Sequence, residues 1–413
     1  MEGVLCQSGK VFSDAYRIMG ASPLVPVFLS LTYLTRNISS EYYAYSVIAS
    51  GILLGLSIYV VGYVKEKRNE EQVSTLGDMS RGVSKMLSDA AEAIVVLSKY
   101  IVLLITVDVF INTLFVRFPF MEEIRSSISI YRVLFGLGLA LVSLMIYVMS
   151  TFFRKTFLAV SAAAMLVMAI MLGVCYLLGV NSAFHRQDSA KDDSLSSFFW
   201  ITAIALYTME FVSGGVKVVN ESRHRELNKY VAIASASMVS AILLIFVYAA
   251  EWMRSTNNSL DILKLVFLKS SKLNNYLKEH TIDKYCITSS IMCICIPVAC
   301  VAIFAIQFDV FIRSFKKLVN AENDNKILLL SLAVLGMIFI QVLFNEVFGT
   351  FHFYLALVVV GITPLLAYHP YICYIVTSKK ITLFTAVSVL AIIFICGVLV
   401  GTTKTLIDMA QIS

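Results

Sequence analysis

The chain has 413 residues, of which 59% are hydrophobic and 15% charged, and its mean hydropathy is +0.82. A soluble protein of this length cannot bury so much apolar side chain, so the composition excludes a soluble domain and indicates a polytopic α-helical membrane protein. The net charge of +6 reflects loops on the cytoplasmic side and gives no support to a nucleic-acid partner.

Eleven apolar segments approach the length of about 20 residues that a helix needs to cross a bilayer. In chain order they are 18–34, 43–64, 90–116, 131–152, 157–180, the stretch 198–229 with its basic end, 230–250, 288–312, 327–344, 351–368 and 381–400. Lysine and arginine are concentrated in alternate short loops, which predicts a cytoplasmic N-terminus (1–17) and an outer C-terminus. We expect a multi-pass protein of the cell (inner) membrane.

The first span carries a cluster of small residues and prolines near its start. Gly20, Ala21 and Ser22 are followed at once by Pro23, and Pro26 comes three residues later. Proline removes a helical hydrogen-bond donor and clashes with the preceding turn. The cluster therefore predicts an interruption of the first membrane helix.

The sixth span carries an acid and paired glycines in its middle. Glu210 lies at bilayer depth, where a carboxylate costs a few kcal/mol and marks a functional site. Ser213, Gly214 and Gly215 follow, and glycines let the backbone leave helical geometry. These residues predict a second helix break around Ser213 and Gly214. The alternative is a continuous helix whose glycines serve close packing.

The two interrupted spans lie five helices apart. Interrupted segments at matching positions of two halves point to a binding site between inverted repeats. Because five is an odd number, the second half would enter the membrane from the opposite side. The prediction is a first repeat over 18–180, a second inverted repeat over 198–370 and one extra helix over 381–400.

Catalytic and metal-binding patterns are not found in the sequence. It has no phosphate-binding loop, no GxSxG and no HExxH motif. Cys293, Cys295 and Cys300 share one apolar span without zinc-type spacing, and we interpret them as small buried hydrophobic residues. Neither an enzyme nor a cofactor or metal site is expected.

Four stretches, taken in order, resemble the amino acid–polyamine–organocation superfamily. They are MGASPLVP at 19–26, the sixth span with its charged loop, IPVACVAIFAIQFDVFIRSFKKLVN at 296–320, and GITP at 361–364 followed by Pro370. The number of spans and the length look most like the hydroxy/aromatic amino acid permease family. This resemblance implies a LeuT-type fold, an inverted five-plus-five helix repeat with one additional C-terminal helix.

The resemblance also implies a function, the import of amino acids by symport with a proton or sodium ion through alternating access. In this fold the free N–H groups of a broken helix hold the substrate carboxylate. The implied substrate-binding residues are Gly20, Ala21 and Ser22 for the carboxylate, Ser213 and Gly214 for the ammonium group, and Tyr207 and Met209 as walls of the side-chain pocket.

Three acids in the spans are candidates for ion coupling: Glu210, Asp108 and Asp309. Each has an alternative role in a charge pair that serves assembly, for example with Lys99 of the third span. Lys99 is also a candidate to replace a bound cation. Two other functions stay open. One is transport of another solute, such as a metal ion or nucleobase, although the first break holds no Asp or Asn. The other is a transport-inactive membrane scaffold.

Overall fold

The computed structural model describes residues 2–31, 40–68, 73–81, 83–117, 138, 151–179, 194–221, 228–256, 283–319, 332, 335–336, 351–378 and 381–412. Regular structure in these ranges is helical, without a strand. The helices are α1 (Glu2–Gly20), α2 (Leu24–Leu31), α3 (Ser40–Arg68), α4 (Asp78–Arg81), α5 (Lys85–Arg117), α6 (Thr151–Gly179), α7 (Leu195–Met209), α8 (Val212–Glu221), α9 (Asn228–Thr256), α10 (Asp283–Leu318), α11 (Phe351–Thr377) and α12 (Leu383–Ile412).

Seven of the described helices are each long and apolar enough to cross a membrane, namely α3, α5, α6, α9, α10, α11 and α12. Helices α7 and α8 together form one further span, bent by 41° at the break between them. The predicted fourth and ninth spans, 131–152 and 327–344, lie almost entirely outside the described residues. The predicted all-α polytopic architecture is confirmed.

The first interrupted helix begins earlier than the sequence predicted. The prediction started the first span at residue 18 and treated 1–17 as an N-terminal extension, whereas α1 is helical from Glu2. Polar residues lower the hydropathy of this stretch and hide it from a search for apolar segments. Val11, Ala15 and Ile18 nevertheless recur at helical spacing and pack against the hydrophobic core.

The last two helices continue beyond their predicted ends. The tenth span was predicted to end before Pro370, but α11 passes through Pro364 and Pro370 to Thr377. Membrane helices tolerate proline because neighbouring helices and local adjustments satisfy the freed backbone groups. Helix α12 likewise extends from Leu383 to Ile412, past the predicted end at residue 400.

The end of α1 and the residue after it approach their neighbours closely because Gly20 and Ala21 are small. A Cβ atom on Gly20 would collide with the carbonyl oxygen of Leu158 in α6, so the two backbones are in contact. On the other side, a Cβ atom on Gly214 in α8 would lie 2.7 Å from the Cβ atom of Ala21. Small residues therefore bring the two interrupted helices together in the centre of the bundle.

Helices α3 and α9 are joined by a similar close contact on the outside of the bundle. A Cβ atom on Gly51 would collide with the Ser240 hydroxyl, and one on Gly55 would lie 2.8 Å from the Ala236 Cβ atom. The spacing of four residues on both helices is the pattern that allows membrane helices to approach.

Candidate functional site

The first helix break is located where the sequence predicted it. Helix α1 ends at Gly20, α2 begins at Leu24, and the residues from Ala21 to Pro23 are not helical. Ala21 and Ser22 are buried, at 1% and 0% exposure, so the break lies inside the protein. Non-helical backbone at this depth is expected only where it is buried or lines a cavity.

The free backbone donors at this break differ from the predicted ones. The N–H groups of Ala21 and Ser22 donate to carbonyl groups in the last turn of α1, each at 3.0 Å. The first N–H groups of α2, those of Leu24 and Val25, have no partner within their own helix, and Pro26 has no N–H. Gly20 is itself helical. The donors available for an anion at the first break are therefore those of Leu24 and Val25.

Two side-chain hydrogen bonds connect the first break to the helices around it. The Gln307 side-chain nitrogen on α10 donates to the carbonyl oxygen of Ala21 at 2.6 Å. The Ser22 hydroxyl donates to the carbonyl oxygen of Thr208, near the end of α7, at 3.3 Å. The first break thus contacts the C-terminal end of α7 directly.

The second break lies at Glu210 and Phe211, slightly before the predicted position. Ser213 and Gly214, which were predicted to be unwound and to bind an ammonium group through their carbonyls, belong to the first turn of α8. Gly214 serves close packing instead, because Ala21 leaves no space for a side chain there. The alternative of a continuous helix was right about this packing and wrong about continuity, since the span is bent by 41°. The glycines mark the region of the break without forming it.

The carboxylate of Glu210 is held by the first turn of α8 and by α5. It accepts hydrogen bonds from the Ser213 backbone N–H at 2.8 Å and from the Ser213 hydroxyl at 2.9 Å. It also forms a salt bridge and hydrogen bond with the ammonium group of Lys99 on α5. The two charged side chains are 2% and 1% exposed. The predicted alternative of a charge pair involving Lys99 is confirmed.

The carboxylate of Glu210 lies at the N-terminal end of α8, where it accepts the Ser213 N–H. A helix N-terminus carries about +0.5 elementary charge, and a carboxylate placed there is stabilised. Glu210 thus occupies the N-terminal end of α8, whereas α2, the other helix that begins at a break, has no acid in its first turn.

Tyr207 and Met209, the predicted pocket walls, are both fully buried at the end of α7. The hydroxyl oxygen of Tyr207 has no hydrogen-bond partner among the described groups, and the same is true of the Gln307 side-chain oxygen. Buried polar atoms without partners are uncommon and call for an explanation such as a bound ligand or water. Met209 lies beside the second break, with its sulfur 3.9 Å from the Ser240 hydroxyl.

Asp309, another predicted coupling acid, does not join this site. Asp309 lies among three basic side chains, 3.1 Å from Arg313, 3.9 Å from Lys217 and 4.0 Å from Arg154. It is therefore a member of an ion-pair cluster and not a partner of Lys99. Asp108 lies on α5, and its side chain is outside the described part of the structure.

A second polar cluster holds the segment between α3 and α5. Asp78 in α4 accepts hydrogen bonds from the Ser74 N–H at 2.9 Å, the Ser74 hydroxyl at 3.0 Å and the Thr75 N–H at 3.1 Å, and it pairs with Lys317 of α10. Burial alone would raise the pKa of Asp78, but Lys317 and the hydrogen bonds from Ser74 lower it, and the net shift is downward. The carboxylate is thus ionised and fastens this segment to α10.

Gln307, Leu24 and Val25 are the site residues that sequence reasoning did not select. An amide side chain within an apolar span is a signal for Gln307, although nothing local indicates its partner. For metal ions, no group of three or more His, Cys, Asp or Glu side chains in the described ranges is close enough to form a site.

Comparisons with known proteins bear on the fold. No protein-family model and no curated protein sequence matches the chain. Among solved structures, MhsT in complex with L-phenylalanine superimposes with a TM-score of 0.70 at 12% identity, over 96% of this chain and 97% of that one.

Two further structures have lower scores. A manganese transporter from Eremococcus coleocola (mutant H236A) gives a TM-score of 0.61 at 13% identity, over 96% of this chain and 86% of that one. Mhp1, a nucleobase-cation-symport-1 family transporter in a closed conformation with bromovinylhydantoin bound, gives 0.57 at 13% identity, over 97% and 92% of the two chains. At these identities the likeness concerns the fold: the chain is a polytopic membrane protein with the LeuT-type fold that the family resemblance implied.

Proposed function

We propose that this protein is a secondary active transporter that imports an amino acid by symport through alternating access. The observation that carries the proposal is the meeting of two broken helices around the buried Lys99–Glu210 pair, with Ser22 bonded to Thr208 across the breaks. A scaffold has no need of broken helices, whereas a transporter with this fold binds its solute at such breaks. The three structures with this fold described above include transporters, which supports the same class.

The arrangement of the helix ends supports a zwitterionic solute. The N-terminal end of α2 has free N–H donors and a partial positive charge, while the C-terminal end of α7 has a partial negative charge. These ends lie together, since Ser22 donates to the carbonyl of Thr208. A carboxylate at α2 and an ammonium group at the carbonyls of α7 match the two ends. Tyr207 and Met209 would then contact the side chain of the amino acid.

Proton coupling is supported over sodium coupling. Carbonyls of unwound backbone are the ligands that bind sodium in this fold, and the Gln307 amide takes one of the two acceptor positions of the Ala21 carbonyl. Glu210 and Lys99 are titratable, and moving α5 away from the second break would leave two uncompensated charges, each costing several kcal/mol. Uptake of one proton by Glu210 from one side of the membrane would neutralise the carboxylate and remove its share of that cost when α5 moves away. Release of the proton to the other side would restore the pair with Lys99, so that one proton crosses the membrane in each cycle.

A transport-inactive scaffold is the second candidate. It is favoured by one observation: the polar groups of the breaks are largely bonded to each other, through Ser22–Thr208, Gln307–Ala21 and Glu210–Lys99. The uptake experiment below separates the two candidates. We place the protein in the cell membrane, with its N-terminus in the cytoplasm, as part of the same proposal.

The test is uptake of radiolabelled amino acids into proteoliposomes, first under an imposed pH gradient and then under a sodium gradient. We expect accumulation that follows the pH gradient, and we expect Glu210→Gln to abolish the pH dependence. Asp408→Asn, which removes an exposed acid on α12, is the matched control and should behave as the wild type. Full pH dependence in Glu210→Gln would remove Glu210 as the proton carrier. Folded wild type without uptake of any amino acid would favour the scaffold.

A further inference from the structure

A groove of about 540 Å³ runs along the outside of the bundle between α3 and α9, away from the helix breaks. Its walls are mostly apolar, and the start of α12 closes one end with Phe384. Ile52 and Ile233 on its walls are 58% and 64% exposed, so the groove opens to the surface that faces lipid. Its floor is formed where small residues such as Gly55 and Ala236 bring α3 and α9 into contact.

Aromatic and basic residues identify the end of the groove that lies at the membrane surface. The rings of Tyr59 and Tyr374 pack on Phe384, with centroids 5.1 and 4.7 Å from it. Lys229 lies at the same end of the groove, and its ammonium nitrogen is 4.8 Å from the centroid of the Tyr230 ring. Tyrosine rings and lysines are typical of the level of lipid headgroups.

The length of the groove matches one leaflet of a bilayer. Its lining on α3 extends from Ile48 to Tyr59, and on α9 from Lys229 to Ser240. Each stretch rises by roughly 16 Å at 1.5 Å per residue, and half of a hydrocarbon core of about 30 Å is roughly 15 Å. On α9 the groove therefore begins at the end of the apolar span Asn228–Ala249, next to the headgroups, and ends near the middle of that span, while on α3 it follows the middle of the span Glu41–Lys67.

We propose that this groove is a binding site for an anionic phospholipid. One acyl chain lies between α3 and α9, against Ile52 and Ala236, and the phosphate pairs with the ammonium group of Lys229. The charge selects an anionic headgroup, because a lysine near the membrane surface attracts anionic lipids. The deep end of the groove includes Ser240, whose hydroxyl touches Met209 beside the second helix break, so a bound chain lies directly behind the proposed solute site.

The test uses phosphatidylglycerol with a photoactivatable diazirine in its acyl chain, added to the purified full-length protein in mild detergent. Labelled peptides are located by mass spectrometry, and unlabelled phosphatidylglycerol or phosphatidylcholine serves as competitor. Two variants alter the groove: Ser237→Phe fills it from an exposed position, and Lys229→Gln removes its charge. Their matched controls are Ile170→Phe on the exposed face of α6 and Lys404→Gln on α12.

We expect labelling to concentrate on α3 and α9. Phosphatidylglycerol should compete about fivefold better than phosphatidylcholine, because this is the factor that one lysine near an anionic surface contributes. Ser237→Phe should reduce labelling of these helices severalfold, and Lys229→Gln should remove the preference for phosphatidylglycerol, while both controls behave as the wild type. Labelling spread evenly around the bundle, equal competition by the two lipids, or unchanged labelling of folded Ser237→Phe would each overturn the proposal. The readout is lipid binding, so it does not depend on whether uptake is observed.

Discussion

The side-chain nitrogen of Gln307 lies 2.6 Å from the carbonyl oxygen of Ala21, and this hydrogen bond ties α10 to the first helix break. Both residues are buried, at 1% exposure each. The bond satisfies a carbonyl group that the break has removed from helical hydrogen bonding. It therefore holds the break in one geometry and takes one of the two acceptor positions of this oxygen.

Replacement of Gln307 by leucine should destabilise the protein by about 1–3 kcal/mol, because the Ala21 carbonyl would be buried without a partner. The measurement is the free energy of unfolding in detergent. Ser161→Ala is the matched control, since the Ser161 hydroxyl is buried and has no hydrogen-bond partner among the described groups. Equal stability of Gln307→Leu and Ser161→Ala would show that the bond contributes nothing.

Single substitutions of the Lys99–Glu210 pair should be far more harmful than the double substitution. Lys99→Met or Glu210→Gln alone leaves a buried charge without its partner, which costs about 3–5 kcal/mol. In the double variant no charge remains, so most of that loss should be recovered. A double-mutant cycle on thermal stability measures the coupling. Strictly additive losses would mean that the two side chains act independently.

Gly214→Val should reduce stability by about 1–3 kcal/mol, the usual cost of overpacking a tight contact. The reason is that even a Cβ atom at this position lies 2.7 Å from the Cβ atom of Ala21. Gly173→Ala in α6 is the control, because the nearest heavy atom there would be 3.8 Å away. Gly173→Ala should leave the free energy of unfolding unchanged or raise it by about 0.4–1 kcal/mol. A tolerated Gly214→Val would contradict the contact between the two interrupted helices.

Asp78 should make stability depend on pH in the acid range. Its pKa is lowered in the folded state, so it stabilises the fold above the unfolded value of about 3.9, and this contribution is lost as the pH falls through the folded value. Asp78→Asn should therefore lower the unfolding temperature at pH 7, and the difference from the wild type should shrink towards pH 3. If the difference in unfolding temperature stays constant with pH, Asp78 does not stabilise the fold through its charge. Asp408→Asn should show no such effect.

Much of the fold was predictable because its signals are local. Long apolar segments predict the spans, and proline beside small residues predicts the first break, which the structure places at Ala21 to Pro23. The start of α1 was missed because this helix is amphipathic at its N-terminal end, and an apolar face mixed with charged residues lowers the mean hydropathy. Local signals also marked the second break only to within a few residues.

The partners within the site were not predictable, because they come from distant parts of the chain. Lys99 and Glu210 are 111 positions apart, and Gln307 and Ala21 are 286 apart. Each residue is unusual in its own span, which identifies it as a candidate, but only the packing of the helices decides which groups meet. The free donors of Leu24 and Val25 were missed for a different reason, since they depend on the residue at which α2 begins.

Glu210 is attached to both halves of the bent span at once. Its backbone N–H donates to the carbonyl of Tyr207 in α7 at 3.4 Å, while its carboxylate accepts the N–H of Ser213 in α8. A swing of either half must therefore pull on the same residue, and through it on Lys99 of α5. The two halves of the span therefore cannot move independently of Glu210. Any change in the bend between α7 and α8 also changes the environment of the Glu210 carboxylate.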